Sequence, residues 1–132
     1  MSARPPAGAS LARPSLKVLV ADDHAFSREV VARIASALGH EVTQVGGGHA
    51  ALEAASAGHF DVAVIDRRMP DMDGAAVALA MKAHPGHPRL VALSGDDPAD
   101  MLPGLFDVVL QKPVDASVLA RALAGCDRPR PA

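Results

Sequence analysis

The chain has 132 residues, of which 49% are hydrophobic, and its formal net charge is −2. Because the only aromatic residues are three Phe, this length and composition predict one domain with an aliphatic core. The near-neutral charge argues against direct nucleic-acid binding, which depends on a basic surface. A single cysteine, no signal-peptide pattern and no apolar run of about 18 residues predict a cytoplasmic protein without a membrane partner.

The two ends of the chain differ in composition from the rest. Residues 1–14 are rich in Pro, Ala, Ser and Arg and show no hydrophobic periodicity, and residues 126–132 are similar. Such segments bury too little apolar surface to fold, so we expect a disordered tail at each end. One domain is predicted between them, over residues 15–125.

The first predicted element is a strand over Leu16–Ala21. A helix follows it, because six apolar residues recur at a helical spacing: Phe26, Val30, Val31, Ile34, Ala35 and Leu38. Gly39 is placed to end this helix, since glycine readily adopts the left-handed conformation that closes a helix.

The same alternation continues to the end of the domain. Short apolar runs predict strands over Val42–Val45, which is the weakest, and over Asp61–Ile65, Arg89–Leu93 and Asp107–Leu110. Helices are predicted over Gly48–Ala57, over Gly74–Ala83, and between Asp115 and Gly125. This alternation predicts an α/β fold in which the sheet is parallel and the crossovers are right-handed.

Polar residues follow four of the predicted strands. Asp22 and Asp23 follow the first strand, Asp66 the third and Ser94 the fourth, and Lys112 comes shortly after the fifth. In a parallel sheet these positions share the carboxyl edge, where ligands bind. Each residue is common by itself in a turn or a loop, so the prediction of a site depends on their joint occurrence.

The clustered carboxylates indicate the chemistry of this edge. Each pair repels by roughly 4 kcal/mol at about 4 Å and an effective dielectric constant of ~20. Such a cluster favours a cation, and oxygen ligands at an open edge suit Mg²⁺. With the metal bound, Asp66 is the best candidate to attack phosphorus and form an aspartyl phosphate. Lys112 would neutralise the phosphoryl oxygens, and Ser94 would donate a hydrogen bond to them.

Four segments of the chain resemble the receiver domain of bacterial two-component response regulators, the CheY-like family. They are Val20-Ala21-Asp22-Asp23-His24, the run from Val64 to Gly74 that contains D-x-x-M-P-x-M-D-G, Ala92-Leu93-Ser94-Gly95, and Gln111-Lys112-Pro113-Val114. The resemblance covers about residues 15–125. It implies a flavodoxin-like, doubly wound fold of three layers, with a five-stranded parallel sheet in the order 2-1-3-4-5.

The resemblance also implies how a metal and a phosphoryl group would be held. Asp66 would be the phosphoacceptor. The metal ligands would be Asp22, Asp23, Asp66 and the backbone carbonyl of Arg68. The family uses Mg²⁺, which agrees with the choice that the carboxylates themselves favour.

Further roles follow from the same resemblance. Ser94 and Lys112 would bind the phosphoryl group and act in the switch, while Pro113 and Gly74 would be structural. The protein would be a switch rather than an enzyme, although it would catalyse its own phosphotransfer and dephosphorylation. Its partners would be a sensor histidine kinase or a histidine phosphotransfer protein, and an unknown downstream protein.

Three features depart from the family pattern. Val109 stands where receivers usually carry an aromatic residue. The stretch between Ser94 and Lys112 is short, which predicts that the helix between the fourth and fifth strands is short or missing. Arg68 and Asp96 lie two residues beyond Asp66 and Ser94, where they would either tune the phosphoryl lifetime or form a solvated surface pair.

Several alternatives remain open from the sequence. The chain would be a single-domain regulator, a phosphorelay module, or a receiver of the kind fused to hybrid kinases. Its oligomeric state is also open, and a homodimer is one alternative. A docking module that is never phosphorylated, a pseudo-receiver, is a second class. A phosphatase with an aspartyl-phosphate intermediate is a third, and a poor one, because it needs a carboxylate at the position of Arg68.

Overall fold

Five parallel strands and four helices make up the described part of the computed structural model, residues 15–95 and 104–124. The strands are β1 (Lys17–Ala21), β2 (Glu41–Val45), β3 (Val62–Asp66), β4 (Arg89–Ser94) and β5 (Val108–Gln111). The helices are α1 (Ala25–Ala37), α2 (Gly48–Ala57), α3 (Gly74–Lys82) and α4 (Ala116–Ala124). None of these four helices is long and apolar enough to cross a membrane. The predicted tails and Asp96 lie outside the described residues.

The strand order is β2-β1-β3-β4-β5, and every neighbouring pair is parallel. This arrangement confirms the predicted fold class and order. The chain passes from β1 to β2 on one side and then returns to β3 on the other side of β1. The order therefore reverses between β1 and β3, and their carboxyl ends flank the crevice where such sheets bind ligands.

The side chains of the central strands alternate between two aliphatic clusters. On one face, Leu19 and Ile65 pack with Val77 and Met81 of α3 and with Ala51 of α2. The opposite face is covered by α1 and α4, whose buried residues include Val31, Ala35, Leu119 and Leu123. The strands β1, β3 and β4 are buried almost throughout, and closely packed residues move little. These three strands therefore hold the residues at their carboxyl ends in fixed positions.

The connection from β4 to β5 differs from the others because its described residues contain no helix. Leu105 and Phe106 are buried there and join the cluster on the α2 and α3 side. Lys82, at the end of α3, donates from Nζ to the carbonyl of Gly104 at 2.8 Å. Residues 96–103 of this connection lie outside the described part, and the lack of a helix in its described residues agrees with the prediction of a short or missing helix.

The predicted helix is present as α1, but the six apolar residues that indicated it are not equally buried. Val31 and Ala35 are buried as expected, whereas Phe26 is 82% exposed and Leu38 is 39% exposed. Both exposed residues lie at the ends of the helical stripe. Gly39 does close the helix, with a φ of 96°.

Candidate functional site

The register of the sheet brings the predicted residues of the later strands together. Asp66 pairs with Leu93, so Ser94 lies one residue further along the neighbouring strand. Ser94 in turn pairs with Gln111, and its carbonyl accepts from the backbone N–H of Lys112 at 2.8 Å. Asp66 and Ser94 are both buried. The peptide bond between Lys112 and Pro113 is cis.

Lys112 links the carboxylates of two different strand ends. Its Nζ lies 3.2 Å from Oδ2 of Asp22 and 3.2 Å from Oδ1 of Asp66. Both carboxylates are buried, and Lys112 itself keeps 26% of its side chain exposed. A buried carboxylate is costly unless it is paired, and here one ammonium group serves two of them.

Asp22 is held by the start of α1 as well as by Lys112. Its Oδ1 accepts from the backbone N–H of His24 at 2.9 Å, and its own carbonyl accepts from Nη1 of Arg28 at 2.9 Å. Burial raises the pKa of Asp22, but hydrogen bonds from His24 and from the Ser27 hydroxyl, together with the charge of Lys112, hold this pKa below its ordinary value. These contacts therefore favour the ionised form of Asp22.

Asp66 has the opposite tendency. Burial and the neighbouring charge of Asp22 raise the pKa of Asp66, and Lys112 only partly offsets them. Burial lowers the pKa of Lys112, but the charges of Asp66 and Asp22 outweigh burial and raise it above the ordinary value. The cluster thus contains more negative charge than one lysine neutralises, which favours a further cation.

Asp23 offers an oxygen to such a cation. Its Oδ1 is buried and has no hydrogen-bond partner within the described part of the chain. One ligand atom each from Asp22, Asp23, His24 and Asp66 lies within 4.8 Å of all the others. An unsatisfied buried acceptor among carboxylates fits a hard divalent ion such as Mg²⁺.

The loop from β3 to α3 closes tightly behind Asp66. The N–H of Arg67 donates to the carbonyl of Leu93, and the N–H of Gly74 donates to the carbonyl of Arg67, each at 2.8 Å. A Cβ on Gly74 would lie 2.6 Å from the carbonyl oxygen of Asp66, which no side chain tolerates. Glycine is required here because α3 begins directly against the backbone of the site, and the loop so fixed carries Arg68.

The two other aspartates of this loop cap helices. Asp73 caps its own helix, since its Oδ1 accepts from the N–H of Ala75 at 3.0 Å. Asp71 caps a neighbouring one, because its carboxylate accepts from the N–H groups of Gly48 and His49 at the start of α2, each at 3.0 Å. These hydrogen bonds hold the carboxylates of Asp71 and Asp73 at the starts of α2 and α3.

Comparison with known proteins assigns the family. Residues 18–124 match the family model of the response regulator receiver domain. The chain belongs to this family. Receiver domains are found in two-component systems, both in response regulators and in hybrid kinases, and the matched range includes every strand end described above.

Individual relatives of this receiver domain agree with the assignment. It is 42% identical over 87 residues to a probable transcriptional regulatory protein, NarL of Mycobacterium tuberculosis, covering 64% of this chain and 40% of that protein. It is 32% identical to the sensor kinase/phosphatase LuxN of Vibrio campbellii, covering 80% of this chain and 13% of LuxN. The chain therefore spans less than half of either relative.

A solved structure supports the fold. The receiver domain (CheY-like) from Methylobacillus flagellatus superposes with a TM-score of 0.80 at 29% identity, covering 86% of this chain and 99% of that one. The match covers nearly all of that receiver domain and therefore supports the fold described above.

Sequence reasoning missed two residues at the site of this receiver domain. His24 belongs to the acidic cluster, and Arg28 holds the carbonyl of Asp22. For His24 the signal was its place directly after two acidic residues that end a strand. Arg28 could have been found from its position in the first turns of a helix that starts at the site.

Proposed function

We propose that this receiver domain is a Mg²⁺-dependent switch that accepts a phosphoryl group on Asp66. The observation that carries the proposal is the shared ion pair: Lys112 Nζ lies 3.2 Å from an oxygen of Asp66 and 3.2 Å from one of Asp22. The ammonium group of this lysine is therefore close enough to pair with the oxygens of a phosphoryl group bound to Asp66. Family membership supports the same role for Asp66.

The metal would be held by Asp23, Asp66 and the backbone carbonyl of Arg68, with Asp22 completing the acidic side. The buried Oδ1 of Asp23, which has no hydrogen-bond partner among the described residues, supports this assignment. When bound there, Mg²⁺ would supply positive charge to the oxygens of the entering phosphoryl group. The tightly closed β3–α3 loop supports the role of Arg68, since a carbonyl ligand needs a fixed backbone.

The transfer itself is an in-line displacement at phosphorus. An Oδ atom of Asp66 forms a bond to phosphorus while the bond from phosphorus to the donor breaks, and its electron pair leaves with the donor atom. For a phosphohistidine donor the departing atom is an imidazole nitrogen. Lys112 stabilises the phosphoryl oxygens, and the Ser94 hydroxyl donates to one of them.

The donor protein would be a sensor histidine kinase or a histidine phosphotransfer protein. Phe26 supports a protein donor, because this large apolar side chain is 82% exposed. It lines a groove of about 310 Å³ that also includes Lys112, Pro113 and Val114. An apolar surface beside the phosphoacceptor suits transient docking of a helical partner.

Two alternatives are less well supported. A pseudo-receiver would not need the paired lysine or the unsatisfied Asp23 oxygen, although Val109 in place of an aromatic residue favours it. A phosphatase would need a carboxylate where Arg68 stands. We further propose that Arg68 and Asp96 influence the lifetime of the phosphorylated state. They lie two residues beyond Asp66 and Ser94 in the sequence.

The decisive experiment is an intact-mass measurement after incubation with acetyl phosphate and Mg²⁺. We expect one phosphoryl adduct that needs Mg²⁺ and is absent in Asp66→Asn. The matched control is Asp61→Asn, which changes an aspartate at the opposite end of β3. An adduct that persists in Asp66→Asn, or no adduct with either acetyl phosphate or a phosphorylated histidine kinase, would contradict the proposal.

A further inference from the structure

His24 lies at the mouth of the acidic cluster. Its Nδ1 is 3.5 Å from Oδ1 of Asp23 and 3.8 Å from Oδ1 of Asp22. A ring nitrogen of His24 also lies within 4.8 Å of an oxygen of Asp66. These are separations that two ligands of one metal ion can have, so the imidazole shares the space that a cation would occupy.

The backbone of His24 is fixed in this place. Its N–H donates to the carboxylate of Asp22 at 2.9 Å, and its carbonyl accepts from the N–H of Arg28 at 2.9 Å, as the residue that precedes α1. The side chain is 74% exposed, so it can turn toward a bound ion without displacing other residues. The backbone of His24 is thus fixed, while its imidazole ring can change orientation.

An imidazole changes which cations a carboxylate site prefers. Mg²⁺ takes oxygen ligands and retains its waters, so a nearby nitrogen adds little to its binding. Divalent first-row transition ions bind imidazole well, with affinity that rises from Mn²⁺ through Co²⁺ to Ni²⁺. A ring nitrogen beside two or three carboxylates therefore favours a transition ion over Mg²⁺.

We infer that His24 is a metal ligand that makes this site selective for transition-metal divalent cations over Mg²⁺. The ion is held by Asp23, Asp66 and the ring nitrogen of His24, while Mg²⁺ uses the oxygen ligands alone. The inference rests on the proposed function, because it concerns the same site. Beyond the proposed function, the inference names His24 as the residue that determines cation specificity and transition-metal ions as the class of cation that binds.

A second histidine of the chain provides the matched control. His59 has an exposed side chain, at 71%, and its Nε2 lies 3.5 Å from Oδ1 of Asp61. It matches His24 in exposure and in its distance from one carboxylate. Within the described residues, however, only the group at His24 brings three or more potential metal ligands together. If any His–Asp pair were sufficient, both histidines would bind a transition ion equally.

The test is calorimetric titration of the full-length chain with Co²⁺ and, separately, with Mg²⁺. We expect His24→Ala to raise the dissociation constant for Co²⁺ about tenfold or more, the usual range when a group that supports a metal is lost. The dissociation constant for Mg²⁺ should stay within about twofold of the wild-type value, since Mg²⁺ gains little from nitrogen. His59→Ala should leave both constants unchanged. Retained Mg²⁺ binding also shows that each variant is folded.

A spectroscopic measurement identifies the ligand directly. Mn²⁺ bound to the wild-type chain should show a hyperfine coupling to nitrogen in pulsed electron paramagnetic resonance. This coupling should disappear in His24→Ala and persist in His59→Ala. A nitrogen coupling that survives in His24→Ala would overturn the inference.

The outcomes separate this inference from the proposed function. Equal Co²⁺ affinity in the wild type and His24→Ala, with Mg²⁺ binding that depends on Asp66, would overturn the inference alone. Mg²⁺ binding that Asp66→Asn leaves unchanged would contradict the proposed function. Loss of Co²⁺ affinity in His24→Ala alone, with Mg²⁺ affinity retained, supports both.

Discussion

Asp71 caps a helix to which it does not belong, because its Oδ1 accepts the N–H of Gly48 at 3.0 Å. The residue before α2 is Gly47, which has no side chain to cap the helix itself. The close approach also requires glycine, since a Cβ on Gly48 would lie 2.6 Å from Cβ of Met72. Gly47 and Gly48, at the start of α2, therefore allow the loop after β3 to approach closely, and the contact joins α2 to the loop that carries Arg68.

Replacing Asp71 should weaken both the cap of α2 and the anchoring of the loop that carries Arg68. We expect Asp71→Ala to lower the Tm by a few degrees, because two N–H groups at the start of α2 lose their acceptor. The affinity for Mg²⁺ should fall as well, because the loop with the Arg68 carbonyl loses an anchor. Thermal unfolding and Mg²⁺ titration measure the two effects. Asp71→Asn, which retains one accepting oxygen, should be intermediate, and a wild-type Tm in Asp71→Ala would contradict this role.

The same contact makes a prediction about pH. Backbone N–H groups of His49 and Gly48, and the His49 ring, lower the pKa of Asp71 below its ordinary value of 3.8. A lowered pKa in the folded state means that the ionised carboxylate adds stability above pH 3.8, and that this stability is lost as the pH falls. The wild type should therefore exceed Asp71→Asn in free energy of unfolding at about pH 6, and the difference should narrow at about pH 3. A difference that is constant with pH would show that ionisation of Asp71 does not matter.

Gly74 allows α3 to start against the backbone of the site. We expect Gly74→Ala to reduce the free energy of unfolding by about 1–3 kcal/mol, because the added methyl overlaps the carbonyl of Asp66. Phosphorylation from acetyl phosphate should also slow, since that carbonyl belongs to the phosphoacceptor. Gly58→Ala is the control, because the nearest atom to its Cβ would be 3.9 Å away. Urea denaturation of both variants checks this, and equal stabilities would count against the predicted overlap.

Lys112 competes with a metal ion for the same carboxylates. We expect Lys112→Gln to bind Mg²⁺ several-fold more tightly, because Asp22 and Asp66 lose the ammonium group that lies 3.2 Å from each. Phosphorylation should nevertheless slow, since the phosphoryl oxygens lose a cationic partner. A Mg²⁺ titration measures the affinity, and the rate of adduct formation measures phosphorylation.

Lys17→Gln removes the same charge at the other end of the sheet and serves as the control. It should change neither the Mg²⁺ affinity nor the rate. Weaker Mg²⁺ binding in Lys112→Gln would mean that the lysine organises the metal ligands rather than competing with the ion.

Phe26 should matter only when the donor is a protein. We expect Phe26→Ala to slow phosphotransfer from a histidine kinase while leaving phosphorylation by acetyl phosphate unchanged, because a small donor needs no docking surface. Leu79→Ala, which shortens an apolar side chain that is 58% exposed on α3, is the control and should change neither rate. Equal slowing with both donors would place Phe26 in the chemistry instead.

The sequence alone determined the strand–helix alternation, the strand order through its resemblance to receivers, and the residues at the carboxyl edge. It could do so because buried strands and helices have different hydrophobic periods, and parallel strands place their ends together. The exposure of Phe26 was not predictable in this way, since a helical stripe does not show where the sheet beneath it ends.

Tertiary structure decided how the charges of the site are paired. Lys112 is ninety residues from Asp22 in the chain, and only the sheet register brings its Nζ between Asp22 and Asp66. The cap of α2 by Asp71 and the place of His24 among the carboxylates were likewise decided by folding. Local sequence specifies helices and strands through periodicity, whereas these contacts depend on distances between side chains from separate elements, which no periodicity encodes.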